Sequence, residues 1–201
     1  EYFTSIAPPE MLSIEPQPWM ARGERSGLAP WQQDWFFGYS QIAGYNTTQL
    51  RRVCVDGLDD HPEALLLEQL LDKMPLSDTV FAQVIGERGA TLTDAAERSR
   101  LYAVDLAQLD GVEGDKFHGA QRYVTAPIAL FYWHDSPKGA YPDGGAMLPV
   151  AIQLGQRHDD AETPVFTPFG VGHDELAEDD EGRKWQLAKF YFNNALAIQH
   201  E

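Results

Sequence analysis

Apolar positions along this chain follow two different periods, and the change comes near residue 100. In "DHPEALLLEQLLDK", residues 60–73, Leu65, Leu66, Leu70 and Leu71 line one side of a helix, with Asp60 as cap and Pro62 in the first turn. "PLSDTVFAQVIGERG" reads as a second short helix closed by Gly86 or Gly89, and "TLTDAAERSR" as a third. Strand patterns then take over. "RLYAVDLAQLDGV" ends in the turn pair Asp110-Gly111, and "RYVTAPIALFYWHD" and "AMLPVAIQLGQ" follow, joined by the loop-forming "SPKGAYPDGG". These segments predict a small antiparallel sheet. Residues 31–53 begin as an aromatic-rich segment, break at Gly44 and Asn46, and turn extended at Leu50-Arg51-Arg52. Residues 1–30 hold five prolines and read as an extended lead-in packed on a larger body.

The last stretch, "KWQLAKFYFNNALAIQHE", returns to the helical period. Leu187, Tyr191, Ala195 and Ile198 share one face, flanked by Ala188 and Phe190, with Phe192 further round. Lys189, Asn193, Leu196 and His200 fill the remaining sector, and no charged residue stands between Lys189 and Glu201. A helix apolar on most of its circumference is a buried one, which carries His200 to its inner end. From the residues alone His200 has two readings: a hydrogen-bonded core histidine, or a metal ligand. His200-Glu201 is also how a zinc-protease His-Glu-x-x-His helix begins.

Composition narrows the classes. The chain has 201 residues, 43% hydrophobic, enough for a core, and a net charge of −16 that argues against a nucleic-acid partner. Its single cysteine, Cys54, allows neither an internal disulfide nor a cysteine-based metal site. No apolar run approaches the roughly 18 residues of a membrane span. The first residue is Glu1, which reads as a processed or truncated N-terminus. His118, His134, His158 and His173 read as solvated, and the acidic run Asp174 to Glu181 as a solvated loop rather than a calcium site. There is neither a phosphate-binding glycine loop nor a serine nucleophile elbow.

Six ordered segments from Trp31 to Glu201 together resemble the lipoxygenases. "WQQDWFFGYSQIAGYNTTQLRR" is similar to the family's Trp-x-x-Asp segment, which leads through aromatics to Gly-x-Asn-Pro and then Leu/Ile-Arg-Arg; Thr47 stands in place of the proline. "LYAVDLAQLDGV", "YVTAPIALFY", "LPVAIQLGQ" and "TPVFTP" resemble the strands and loop that follow. "WQLAKFYFNNALAIQHE" resembles the Trp-x-Leu-Ala-Lys helix that runs into the first iron-binding histidine.

The resemblance implies the N-terminal part of a lipoxygenase catalytic domain, mainly α with a small antiparallel β-sheet and without the N-terminal β-barrel. The rest of the domain is expected beyond Glu201. Residues 56–73 look inserted relative to the animal and plant enzymes, as in a bacterial member, where their helix would be a lid over the substrate entrance. The implied activity is dioxygenation of polyunsaturated fatty acids, free or in phospholipids, to conjugated hydroperoxides, by hydrogen abstraction at one non-haem iron. By carry-over His200 is the first iron ligand, Phe37 and Phe192 are substrate-pocket residues, and Leu196, one turn from His200, is a third. The implied partners are the lipid (with access to membrane lipid), dioxygen and the C-terminal part of the same polypeptide. A monomer is expected, and a periplasmic or secreted location ahead of a cytoplasmic one. The 201 residues alone are expected to be inactive. Two other classes stay open: a zinc-dependent peptidase, and a non-catalytic lipid-binding derivative of the fold.

Overall fold

In the computed structural model the described residues are 33–44, 46–56, 63–135, 145–159, 161–168 and 180–200. The lead-in over 1–30, Asp60 and Pro62, nearly all of "SPKGAYPDGG", His173 and most of the acidic run lie outside them.

A six-stranded sheet forms the centre. Its strands are β1 (Arg51–Cys54), β2 (Leu65–Leu66), β3 (Leu101–Asp105), β6 (Ile128–His134), β7 (Ala146–Gln153) and β8 (Val165–Phe166). They lie side by side in the order β2-β1-β3-β6-β7-β8. A separate hairpin pairs β4 (Lys116–Phe117) with β5 (Ala120–Gln121). The three segments expected as strands are the middle of the large sheet, and β3, β6 and β7 pair antiparallel as expected. The sheet is larger than expected and mixed, because β2 joins β1 in parallel. Pro149 sits inside β7, where it has no N–H to give a ladder; a bulge opposite Leu130/Phe131 accommodates it.

The expected helix over 60–73 is corrected at its start. Leu65 and Leu66 pair with Val53 and Cys54 as strand, and helix α2 begins only at Leu67 and ends at Lys73. The unpaired edge of β1 supplies hydrogen-bond partners that a helix beginning at Asp60 would forgo. Leu67 and Leu70 are buried in the core, and Lys73 Nζ lies 2.7 Å from Asp105 Oδ2. The next two helices form as their caps dictate. Ser77 accepts from the Val80 N–H at 3.3 Å to start α3 (Asp78–Ile85), which Gly86 closes at φ 72°. Thr91 accepts from the Asp94 N–H at 3.1 Å to start α4 (Leu92–Glu97).

Helices cover both faces of the sheet, which is why all eight positions of β7 are buried. Alternation along β6 sorts the core. Ile128, Leu130 and Tyr132 pack with Leu67, Leu70, Phe81 and Ile85 from α2 and α3. Ala129 and Phe131 point the other way, to α1 (Asp34–Ala43) and the closing helix α5 (Asp180–His200). Helix α1 seats closely because Gly38 has no side chain: a Cβ there would lie 1.8 Å from the Met147 carbonyl oxygen of β7.

The wheel of α5 needs correcting. The buried stripe is Trp185, Ala188, Lys189, Phe192, Ala195 and Leu196, whereas Leu187 is 56% and Phe190 61% exposed and Ile198 is also exposed. Only one stripe of a helix can meet one sheet, and the apolar residues elsewhere on it face outward here. The sector with Lys189 turns inward because Asp34 supplies that ammonium with a partner.

Candidate functional site

Helices α1 and α5 cross on one face of the sheet and bring three of the four candidates together. Phe37 from α1 and Phe192 from α5 meet edge to face, with centroids 5.5 Å apart and planes at 71°. Phe131 of β6 completes the group, 5.8 Å from Phe37 and 6.2 Å from Phe192. Leu196 continues the buried stripe one turn on. The three rings occupy the interior they share, so within this chain Phe37 and Phe192 are core aromatics.

A polar fork lies beside them. One oxygen of Asp34, Oδ1, accepts from Lys189 Nζ at 2.8 Å and from Trp185 Nε1 at 2.8 Å. Lys189 and Trp185 stand four apart on α5, so both side chains leave the same face. Lys189 Nζ also lies 6.0 Å from the Phe37 ring centroid and 5.8 Å from that of Trp185, where the π-faces favour a cation. The signal in the sequence was a lysine placed four after a tryptophan in a mostly apolar helix.

A second tie lies further along α5. Asn46 Nδ2 donates to the Leu196 carbonyl at 3.3 Å, and Thr125 Oγ1 to the Tyr191 carbonyl at 3.5 Å. The sequence marked Asn46 as a break between elements and as the asparagine of the segment that resembles Gly-x-Asn-Pro, with no role attached to it.

His200 is the last described residue of α5 and is exposed in this chain. The burial of α5 stops at Leu196, one turn earlier, where the sheet no longer covers it. Imidazole on a helix suits iron as a donor. Among the described residues no three or more His, Cys, Asp or Glu side chains gather to hold a metal ion, so His200 offers one donor of a larger set. His134 also departs from the solvated reading: it is half-buried, with Nε2 3.1 Å from Glu87 Oε1. Asp159 is depressed below its ordinary pKa by the backbone N–H groups of Glu162 and Ala161, in a turn outside this site.

No family model matches the chain. Curated relatives do. The arachidonate 12-lipoxygenase, 12R-type, of Mus musculus is 32% identical over 171 residues, 85% of this chain and 20% of the relative. The polyunsaturated fatty acid lipoxygenase ALOX15B of Rattus norvegicus is 30% identical over 174 residues, 87% of this chain and 21% of the relative. The chain thus spans about a fifth of the length of these relatives. A coral 8R-lipoxygenase structure superposes with a TM-score of 0.55 at 26% identity, over 82% of this chain and 19% of that one. A manganese lipoxygenase shares the fold with a TM-score of 0.55 at 20% identity, over 89% of this chain and 24% of that one. The zinc-peptidase reading of His200-Glu201 finds no counterpart among these proteins. Likeness in sequence over most of its length, with a shared fold, makes this chain a member of the lipoxygenase family.

Proposed function

We propose that this chain forms the scaffold and the metal-bearing helix of a lipoxygenase that dioxygenates polyunsaturated fatty acyl chains to conjugated hydroperoxides. The observation that carries the reading is the fork at Asp34. It joins Asp34, which closes the Trp-x-x-Asp segment and opens α1, to Trp185 and Lys189 of the Trp-x-Leu-Ala-Lys segment in α5, the two segments with the most distinctive resemblance.

The cofactor is a single non-haem metal, iron by the resemblance, with manganese as the alternative that one structural relative carries by name. When bound, it supplies the one-electron oxidation that lets a hydrogen leave the carbon between two double bonds. The chain's own residues build and aim the support for that chemistry. Asp34 holds Trp185 and Lys189, and thereby sets the rotation of α5. Phe37, Phe131 and Phe192 make a dry wall behind it. Phe192, Leu196 and His200 follow one another at four-residue steps, so the imidazole leaves α5 on the stripe those apolar residues define. His200 stands in the metal's immediate surroundings, as a ligand or as a group bonded to one. The exposed Leu187, Phe190 and Ile198 are the faces that the remaining polypeptide covers.

The full-length protein given linoleate and dioxygen tests this reading. Elemental analysis should find one iron or manganese per chain, and absorbance of a conjugated diene should grow with time. A metal-free protein without diene formation would favour the non-catalytic lipid-binding reading. In the same protein His200→Ala separates its two roles. Loss of metal makes His200 a ligand, and retained metal with slower turnover makes it a supporting group. If neither changed, His200 would leave the site.

A further inference from the structure

We infer that Asn46 is a positioning residue that fixes the last turn of α5 and with it the His200 imidazole. This rests on reading α5 as the metal-bearing helix. In a helix the carbonyl of residue 196 is the one reached by the N–H of residue 200. Its second lone pair is the one that Asn46 Nδ2 takes, at 3.3 Å. The Asn46 side chain therefore bonds the same peptide group that closes the turn carrying His200.

The geometry gives Asn46 this task because its bond reaches α5 from the side, out of a segment 150 positions away in sequence. Among the described residues Phe192 and Leu196 are buried and Ile198 and His200 are exposed, so the bond meets α5 at the end of the stripe that this chain itself covers. Asn46 is itself aimed: Thr48 Oγ1 lies 3.4 Å from Asn46 Oδ1, which leaves Nδ2 as the end turned to α5. Thr125 makes the comparable bond more than a turn earlier, at Tyr191, and serves as the control.

The test uses Asn46→Asp, Asn46→Ala and Thr125→Val in the full-length protein. Asn46→Asp sets a carboxylate oxygen against the Leu196 carbonyl in place of a donor. Amide exchange at residues 197–200 should rise roughly tenfold in both Asn46 variants, the scale of one lost hydrogen bond. Loss of the bound metal to a chelator should quicken about tenfold or more, as for groups that orient metal ligands. The melting temperature should hold, and Thr125→Val should leave 197–200 unchanged. Unaltered exchange and metal loss in both Asn46 variants would overturn the inference. So would faster exchange throughout the chain, which would make Asn46 an ordinary structural residue. If the wild-type protein carries no metal, the proposed function falls, and exchange at 197–200 still decides the role of Asn46.

Discussion

Lys189 Nζ and Asp34 Oδ1 lie 2.8 Å apart, joining residues separated by 155 positions. The ammonium is buried at 3% exposure, and the carboxylate is nearly so at 16%. Neither ion belongs in such a place without the other, because the interior repays desolvation only through a close, hydrogen-bonded partner. The pair therefore fixes which stripe of α5 faces the sheet. It selects the one with Phe192 and Leu196 over the one with Leu187 and Tyr191.

Removing Asp34 takes the carboxylate away from the buried Lys189 ammonium. Asp34→Ala is expected to cost about 3 kcal/mol or more of stability, and Asp34→Ala with Lys189→Met to recover much of it. Urea unfolding of the full-length single and double variants measures both. Equal losses in the two would show that the Lys189 charge left behind is not what costs the stability.

Phe192 touches both Phe37 and Phe131, so its truncation opens a cavity in the core. Phe192→Ala should destabilise by roughly 3–5 kcal/mol. Phe192→Leu keeps most of the volume and is the better test of a substrate contact. Under the pocket reading it should change the ratio of positional hydroperoxide products measured by chromatography. An unchanged ratio would return Phe192 to the core alone.

Gly38 is where α1 comes down on β7. Any side chain there drives into the Met147 carbonyl, 1.8 Å from the added Cβ, and backbone cannot swing aside. Gly38→Ala should cost about 1–3 kcal/mol or more by overpacking, despite the better helix propensity of alanine. A thermal melt unchanged or raised by this substitution would contradict the close seating of α1.

Asp159 Oδ1 accepts from the N–H groups of Ala161 at 2.8 Å and Glu162 at 3.0 Å. Those bonds, Glu162 first, hold its carboxyl below the ordinary value of 3.8. A carboxyl depressed in the folded state contributes fully above its unfolded pKa and loses that contribution as pH falls through the folded one. The turn should thus be intact above about pH 4 and loosen progressively below it. Amide chemical shifts of Ala161 and Glu162 against pH report this directly; a midpoint above the ordinary carboxylate range would refute it.

Local signals located much of the fold. Ser77 with Gly86 and Thr91 with its aspartate mark helices that need no distant partner to begin or end. Alternation in β3, β6 and β7 marks strands whose two faces meet different layers. Where local signals misled, a long-range partner decided. Leu65 and Leu66 fit a helical stripe as well as a strand, and the open edge of β1 took them as strand.

Caps, turns and periodicity act over a few neighbours, so most of the elements, the acidic charge, the family resemblance and the candidate residues are all written in the linear chain. The inward face of α5 is not, since its wheel is apolar nearly all round and a burial pattern needs something to be buried against. Folding settled that face when Asp34 came to hold Lys189 and Trp185. Asn46, which the linear chain shows as a break and as part of a Gly-x-Asn segment without a role, was turned by the same meeting of distant segments into a brace on the helix that carries His200.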